Sequence, residues 1–423
     1  MMPRLFARLI HVVALGLLLA ACSHVAPQSQ PAKPPVPPVE APPPAAAPLP
    51  PVVSAPLPTP PPTPAVTPPL PGSVPGRSAT VALLVPLSGP SAPLGAALFN
   101  AAQMALFEMA DNAFNLLPFD SKGTADGAVA AVQQALGQHA DIIIGPLFST
   151  EAKAAAPLAR QAGVAMVSFT ADSTAAGSGV FALGFLPGPQ AQRVADYARS
   201  QSLSRLAILA PSNDYGRTVV DYLSNAAPQQ GITLAGLEYY DAAAADVGSA
   251  LKRLVKIDPK RGADVGFDAL ILPDEGQRLK VVAAALSTAG VDPAKVRILG
   301  TMLWDDGHVG SESALVGAWY PSPPQGSHTD FDNRYSRAFG THPPRLASLG
   351  YDATALAAVL ARHVPRDFSV AALTNPTGFA GVDGIFRLKG DGTAERGYAI
   401  REVQASGPDK EIAPAPASFQ AAY

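Results

Sequence analysis

The sequence contains few of the residue types on which many protein functions depend. It has one cysteine, two tryptophans and seven histidines in 423 residues. One cysteine excludes an internal disulfide framework, and the scattered histidines lack the spacing of metal ligands. The 30 basic and 33 acidic residues give a net charge of −3 without a basic cluster, which argues against nucleic acid as a partner. We expect no metal and no cofactor.

Catalytic signatures are also missing. Ser249–Lys252 matches an S-x-x-K pattern, but no K-T-G follows and Ser249 lies within a predicted Ala-rich helix. Gly177–Ala182 matches a G-x-G-x-x-A dinucleotide loop, but it leads into a predicted strand instead of a helix. Walker loops and nucleophile elbows are absent. The sequence therefore indicates a protein that is not an enzyme.

The N-terminal residues have the pattern of an export signal. Arg4 and Arg8 precede the apolar run Leu9–Leu19, which is too short to span a bilayer comfortably. The sequence Leu-Ala-Ala-Cys at 19–22 resembles the lipobox of bacterial lipoproteins, which implies a signal peptide over residues 1–21 and a lipidated Cys22. The other interpretation is an ordinary signal peptide with an incidental cysteine. No other run is apolar and long enough for a transmembrane helix.

The lipoprotein resemblance also implies a location. Ser23 stands where an aspartate would favour retention in the inner membrane, so the resemblance implies the periplasmic face of the outer membrane of a Gram-negative bacterium. The lipid would be the only membrane contact.

Residues 22–78 are predicted to be a disordered linker. Pro27–Gly76 holds 22 of the 46 prolines and almost no charge, a composition that favours polyproline II and cannot bury a core. At about 3.1 Å per residue its contour length is on the order of 150 Å. Two interpretations are open. The linker lets the folded body work far from the membrane, or it is only a solvated tether without a further role.

Folded sequence begins with Thr80–Ala110. Val81–Val85 is a short apolar run typical of a buried strand, and Pro86 to Pro90 form a turn before a predicted helix. Similar strand–helix units continue, which predicts an α/β fold of mainly parallel sheets flanked by helices. The opening P-L-S-G-P resembles that of Leu/Ile/Val-type periplasmic solute-binding proteins.

That resemblance implies a two-lobed, hinged type I periplasmic-binding fold. We expect residues 79–190 and 316–376 to form the first lobe, and residues 191–315 and 377–406 to form the second. Residues 407–423 are predicted to be a C-terminal tail. Phe379–Arg387 and Tyr398–Val403 are predicted to pair as a terminal hairpin.

Ligands of open α/β sheets bind beyond the carboxyl ends of the strands, and the first lobe has three candidate loops there. Ser88 lies in the first loop. Ser149 and Thr150 follow the third strand, where either could cap a helix or bind a ligand carboxylate. The third loop holds Ser168, Thr170 and Asp172. Amino-acid-binding relatives have the pattern S-P-x-A-T at this place. Asp172 stands where their threonine would be, and its negative charge would repel a ligand carboxylate.

The second lobe contributes three further candidates. The resemblance implies that Tyr215, in the first loop of this lobe, packs on a ligand; a tyrosine packed at the hinge is the other interpretation. Glu275 and Trp304 follow later strands, where nearby acidic residues could bind an ammonium group or simply be solvated.

Several motifs together resemble the penicillin-binding protein activators, which are outer-membrane lipoproteins related to the solute-binding fold. These motifs are the lipobox, the proline-rich linker, V-P-L-S-G-P, G-P-L-F-S, V-S-F-T-A-D-S and the closing F-A-G-V-D-G-I-F-R-L. The resemblance implies a non-enzymatic activator whose partner is a peptidoglycan synthase, a penicillin-binding protein. The alternative is a receptor that binds an amino acid or another small polar solute for an ABC importer.

Overall fold

The first strand and helix form as the apolar pattern predicts. In the computed structural model, β1 (Ala79–Val85) is buried along its whole length, and it pairs in parallel with a strand on either side. The following helix, α1 (Ala92–Met109), packs closely on the end of this strand. A Cβ atom at Gly95 would lie 1.9 Å from the carbonyl oxygen of Pro86, so only glycine allows this approach.

The described residues are 78–109, 114–243, 247–255, 265–305, 307–363 and 365–419. The predicted signal peptide, Cys22 and the linker up to residue 77 lie outside them, as do residues 420–423 of the predicted tail.

The first sheet consists of five parallel strands in the order β2-β1-β3-β4-β5. Helices alternate with the strands, as right-handed crossover connections require. The elements after α1 are β2 (Phe114–Asp120), α2 (Ala125–Gly137), β3 (Ile142–Ile144), α3 (Ser149–Ala162), β4 (Ala165–Ser168), a 3-10 turn (Ser173–Ala175) and β5 (Val180–Ala182).

The second sheet has seven strands in the order β15-β14-β10-β9-β8-β6-β7. Strands β6 to β10 run parallel, whereas β14 and β15 are antiparallel additions at one edge. The elements are α4 (Pro187–Ser200), β6 (Arg205–Pro211), α5 (Asp214–Ala226), β7 (Thr233–Tyr240), α6 (Gly248–Leu254), β8 (Ala269–Ile271), α7 (Gly276–Thr288), β9 (Arg297–Leu299) and β10 (Trp319–Ser322), with 3-10 turns at Ala227–Gln230, Met302–Trp304, Val309–Ser311 and Ser313–Leu315.

The remaining chain returns to the first sheet and then crosses again. It forms a small antiparallel sheet, β11-β12-β13, whose apolar side chains join the core under the first sheet. The elements are α8 (Gln325–Phe339), α9 (Ala347–Ala361), α10 (Val370–Leu373), β11 (Phe379–Gly381), β12 (Gly384–Leu388), β13 (Ala394–Arg396), β14 (Ala399–Glu402) and β15 (Lys410–Ala413).

Two lobes follow from these pairings. We call residues 79–182 and 325–396 the first lobe, and residues 187–322 and 399–413 the second lobe. Three short segments, 183–186, 323–324 and 397–398, connect them. Each lobe has apolar clusters on both faces of its sheet, as expected where helices cover a parallel sheet on two sides.

The predicted lobe boundaries are wrong at three points. Residues 316–376 were expected in the first lobe, but β10 lies between β9 and β14 in the second sheet. Residues 377–396 were expected in the second lobe, but β11 to β13 pack on the first. The predicted tail includes β15, which pairs with β14. The predicted hairpin is also wrong, because β12 pairs with β13.

Candidate functional site

The carboxyl ends of the two parallel sheets meet near the connecting segments. Arg345 of the first lobe lies 3.2 Å from Asp305, which follows β9 in the second lobe. Met302, in the same loop as Asp305, packs against the core of the first lobe. The predicted ligand-site loops lie at the carboxyl edges of the two sheets, and the loop after β9 contacts the first lobe.

Ser88, in the loop after β1, is engaged by an acidic residue of the chain itself. Its hydroxyl donates a hydrogen bond to Asp120 Oδ2 at 2.6 Å, and the amides of Leu87, Ser88 and Lys122 donate to Asp120 Oδ1 at 2.8–3.2 Å. Burial alone would raise the pKa of Asp120, but these hydrogen bonds together lower it. Asp120 thus remains an anion that occupies the donors of this loop.

The loop after β3 is closed by Glu151. The N-cap of α3 is Phe148, so neither Ser149 nor Thr150 caps the helix as predicted. Glu151, in the first turn, is completely buried, and its carboxylate accepts a hydrogen bond from the Phe148 amide at 3.0 Å. Ser149 is half-buried and Thr150 exposed, and within the described residues their hydroxyls have no partner. The helix N-terminus is therefore already occupied by an acidic side chain.

The raised pKa of Glu151 predicts how the free energy of unfolding changes with pH. The lowered pKa of Asp172 predicts a change of the opposite sign. Burial raises the pKa of Glu151, although the Phe148 amide opposes the rise, so the folded state holds this proton more tightly than the unfolded state. The free energy of unfolding of the wild type, relative to that of Glu151→Gln, should therefore fall as pH rises above 4.5. The steepest decline that one proton allows is about 1.4 kcal/mol between successive integer pH values.

The check is urea unfolding of the wild type, Glu151→Gln and Asp172→Asn between pH 3 and 8. The pKa of Asp172 is lowered, so its contribution should be present above pH 3.8 and be lost as pH falls further. If wild type and Glu151→Gln differ by the same amount at every pH, the assigned burial effect is wrong.

The loop after β4 is also held by contacts within the chain. The Ser168 hydroxyl is buried and donates to the Phe181 carbonyl at 2.9 Å, while the buried Thr170 hydroxyl accepts from the Asp172 amide. Asp172 pairs with Lys153 of α3 at 2.7 Å and caps the following 3-10 turn. Burial would raise the pKa of Asp172, but the Lys153 ammonium and the Thr174 amide outweigh it. Asp172 is thus a paired anion.

Tyr215, in the first turn of α5, occupies the position of the hinge interpretation. Its hydroxyl lies 2.9 Å from Thr301 Oγ1 and 3.3 Å from Gln190 Oε1. Gln190 is buried at the start of α4, and its Oε1 also accepts from the Met302 amide at 3.1 Å. Burial raises the pKa of Tyr215 well above its usual value. The phenol therefore stays protonated and ties three loops together beside the first connecting segment.

Glu275 and Trp304 have opposite surroundings. Glu275 is exposed at the N-cap of α7, and within the described residues its carboxylate has no hydrogen bond or ion pair. Trp304 is completely buried in the second-lobe core, and its Nε1 donates to the Asp274 carbonyl at 2.9 Å. The predicted ligand contact of Trp304 is therefore wrong, because its ring has no exposed surface.

Sequence reasoning missed a buried charged cluster at the connecting segments. We call Asp305, His328, Arg345, Asp352, Asp383 and Arg396 the crossover cluster. Asp383 Oδ1 lies 2.9 Å from His328 and 3.6 Å from Arg345, and Arg396 Nη1 lies 3.5 Å from Asp352. An available signal was Asp352 itself, which interrupts the apolar, Ala-rich run of α9.

Charge pairing sets the ionisation of this cluster. Burial, together with the neighbouring Asp383, raises the pKa of Asp352, and Arg396 opposes that rise. Asp383 is equally buried, yet its pKa is lowered because His328, Arg345 and Arg396 surround it. The two acids thus share a set of cations that holds one of them firmly as an anion.

A metal site and a membrane-spanning helix are both absent from the described part of the chain. No group of three or more His, Cys, Asp or Glu side chains there could hold a metal ion. Among the helices of the same residues, none combines the length and hydrophobicity that a bilayer crossing demands.

A sequence model of the periplasmic binding protein family matches residues 78–408. The chain belongs to this family. The match spans both lobes and all three connecting segments, and the fold is consistent with a location in the periplasm.

Two further comparisons report proteins similar to this chain. An uncharacterized protein of Rickettsia prowazekii (strain Madrid E) is 21% identical over 221 residues, which are 52% of this chain and 59% of that protein. The chain thus matches less than two thirds of that relative's length. Among solved structures, a candidate branched-chain amino acid ABC transporter from Rhodospirillum rubrum has a TM-score of 0.67 at 18% identity, with 79% of this chain and 100% of that chain covered.

Two similar structures contain ligands. LivJ, the branched-chain amino acid transporter substrate-binding protein of Streptococcus pneumoniae, was solved with isoleucine; it has a TM-score of 0.54 at 17% identity and covers 80% of this chain and 100% of its own. A solute-binding protein of Rhodopseudomonas palustris in complex with 3,4-dihydroxybenzoic acid has a TM-score of 0.56 at 17% identity. The match covers 81% of this chain and 97% of that protein. At these identities the likeness establishes the fold.

Proposed function

We propose that this periplasmic binding protein is a non-enzymatic regulator that activates a peptidoglycan synthase, with the solute-binding fold serving as a contact scaffold. Cys22 would carry the lipid that anchors it to the periplasmic face of the outer membrane. The proline-rich residues 22–78 would give the body the reach to meet a synthase across the cell wall. No nucleic acid would take part.

The observation that carries this proposal is the state of the three first-lobe loops. A ligand carboxylate would have to bind there, but the chain's own Asp120, Glu151 and Asp172 already lie in these loops. Asp120 and Glu151 accept the amide hydrogen bonds that an incoming carboxylate would need. Like charges at this edge disfavour a further anion, and Lys153 is the one cation among the described residues that pairs with Asp172. This arrangement supports a scaffold over a carboxylate receptor.

The experiment pairs binding with activity. The purified full chain is mixed with a peptidoglycan synthase from the same organism, and both co-purification and the rate of glycan polymerisation are measured. We expect binding and a several-fold faster polymerisation. Absence of both, with a synthase that is active on its own, would overturn the proposal.

A receptor for an amino acid is the second candidate, and the free carboxylate of Glu275 is the observation that favours it. Burial is the main cause of the raised pKa of Tyr215 and the charge of Glu275 adds to it, so an ammonium group bound near Tyr215 would also be attracted to Glu275. The half-buried Ser149 hydroxyl, also without a partner in the described chain, remains a donor on the opposite lobe.

For the receptor function we predict that one amino acid raises the melting temperature of the full chain by several degrees, and that Glu275→Gln weakens this binding at least tenfold. A thermal-shift screen of the natural amino acids measures both. The control is Glu312→Gln, which changes an acid on the far side of α7 that pairs with Lys280. A flat screen, or equal binding by both variants, would exclude a receptor that depends on Glu275.

A further inference from the structure

A cavity lies beside the connecting segment that contains Tyr398, and its lining includes none of the candidate loop residues described above. It has a volume of ≈ 340 Å³, close to the lower end of the range for small-molecule sites. Helix α4 of the second lobe forms one wall, and Lys389, Arg396 and the acid Glu395, which is paired with Arg387, contribute to another from the first lobe. Phe419, after β15, lies at its edge. The cavity is thus built from both lobes.

Arg193 supplies this cavity with a cation that has no direct ion pair among the described residues, although the charge of Asp196 on the same helix compensates it in part. Its guanidinium donates only to the main-chain carbonyls of Tyr398, at 2.9 Å, and Pro414, at 3.4 Å; no ion pair with it occurs among the described residues. Burial lowers the pKa of Arg193, which marks a charge that is poorly solvated. A carboxylate bound in the cavity would supply the missing anion.

Asp196, one helical turn after Arg193, gives the cavity a negative charge. Residues three apart lie on the same face of a helix, so Asp196 and Arg193 face the cavity together. One oxygen of Asp196 accepts from Gln192 at 2.8 Å, and within the described chain the other has no hydrogen bond. Burial raises the pKa of Asp196 even though Gln192 and two arginines oppose this. An ammonium group would restore the favourable environment of this anion.

The rest of the wall is aromatic and partly unsatisfied. Tyr222 packs on Gly188, where a Cβ atom would lie 2.3 Å from the ring, and Phe419 lies under the Arg387 guanidinium. Gln192 Oε1 and Arg396 Nε, both on lining residues, are buried without a hydrogen-bond partner. Such atoms are rare in folded proteins and are usual where a ligand or water completes the structure.

We propose that this cavity is a second binding site, and that it takes a zwitterionic α-amino acid with an aromatic side chain. The ligand carboxylate pairs with Arg193, its ammonium group pairs with Asp196, and its ring lies against Tyr222 and Phe419. Because the walls belong to both lobes, bound ligand stabilises their present arrangement. This site is independent of the synthase proposal and of the site at Glu275.

The test is isothermal titration of the purified full chain with L-phenylalanine. We expect saturable one-site binding, at least tenfold weaker in Arg193→Gln and in Asp196→Asn. Arg253→Gln is the control, because Arg253 lies exposed on α6 and pairs with Glu238 outside the cavity, and this variant should bind like the wild type. L-phenylalaninamide, which lacks the carboxylate, and N-acetyl-L-phenylalanine, which lacks the ammonium, should each bind at least tenfold more weakly.

Any of the following results would overturn the proposal. No binding of L-phenylalanine to the wild type excludes an aromatic amino acid from the cavity. Binding that survives Arg193→Gln and Asp196→Asn but is lost in Glu275→Gln places the ligand at the site near Glu275 instead. If Arg193→Gln fails to fold, Asp196→Asn and the two phenylalanine analogues still decide, and equal binding of all three amino-acid forms rejects the charge pairing.

Discussion

Replacing Arg396 with methionine is expected to lower the free energy of unfolding by about 3–5 kcal/mol, the usual cost of breaking a buried ion pair from one side. The Arg396 side chain is 1% exposed and that of its partner Asp352 is fully buried. Methionine retains most of the apolar stem but removes the charge. Asp352 would then have to be buried as an uncompensated anion or take up a proton, and both outcomes destabilise the folded state.

Two aromatic rings flank the Arg396 guanidinium. Its guanidinium lies 4.8 Å from the ring centroid of Phe185 and 5.3 Å from that of Phe386. The Asp352 carboxylate accepts from the Val382 amide at 2.7 Å, in the turn between β11 and β12. Gly381 makes room for this carboxylate, since a Cβ atom there would lie 2.7 Å from it.

Urea unfolding measures the effect, with Arg387→Met as the matched control. Arg387 lies on the neighbouring strand β12 and pairs with Glu395 at 2.8 Å, but both side chains are partly exposed, so its loss should cost no more than about 1 kcal/mol. The double variant Arg396→Met/Asp352→Asn should regain part of the loss, because asparagine retains an acceptor for Val382 without the charge. Equal destabilisation by Arg396→Met and Arg387→Met would contradict the assigned role.

The same cluster also sets how the two lobes are joined. Arg345 reaches Asp305 in the second lobe and Asp383 in the hairpin of the first, so one guanidinium serves both lobes. Burial raises the pKa of Asp305, and Arg345 opposes that rise. Lobe opening at this edge would separate an acid from the cation that compensates it. The cluster therefore favours the present arrangement, as a scaffold requires.

The sequence was sufficient for the local architecture. The apolar run at β1 and the helical period that follows it predict both elements, because a strand buried on two faces needs continuous apolar residues. It was insufficient for the late segments. Trp319–Ser322 is only four residues long, and its place in the second sheet is decided by pairing with Ala399–Glu402, which lies far along the chain. Local patterns do not record such partners.

The loops of the candidate site can be placed from the sequence, but their contacts cannot. Sheet topology places the loops with Ser88, Ser149 and Asp172 at one edge, and the structure has them there. Whether a loop donor is free depends on distant or buried acids, such as Asp120, which lies 32 residues beyond Ser88. Glu151 illustrates the same limit, since an acid in the first turn of a helix is ordinarily exposed and here is completely buried.

Trp304→Ala is expected to cost about 3–5 kcal/mol of unfolding free energy, because it empties a large, fully buried site in the second-lobe core. The indole packs beside Tyr320, with ring centroids 6.4 Å apart, and covers Gly300, where a Cβ atom would lie 2.2 Å from the ring. The substitution also removes the donor to the Asp274 carbonyl. The loss of packing is the larger part of the expected effect.

Two further variants separate packing from ligand contact. Trp304→Phe retains one of the two fused rings and loses the hydrogen bond together with part of the packing, so it should cost about 1–3 kcal/mol, less than Trp304→Ala. Leu303→Ala, in the same turn but only partly buried, should cost less than Trp304→Ala. Urea unfolding ranks the three variants, and thermal shifts with the amino-acid panel follow binding. If Trp304→Phe has wild-type stability but no longer binds the amino acid, Trp304 contacts the ligand after all. If Trp304→Phe is less stable but still binds, Trp304 is a core residue that fixes the loop after β9.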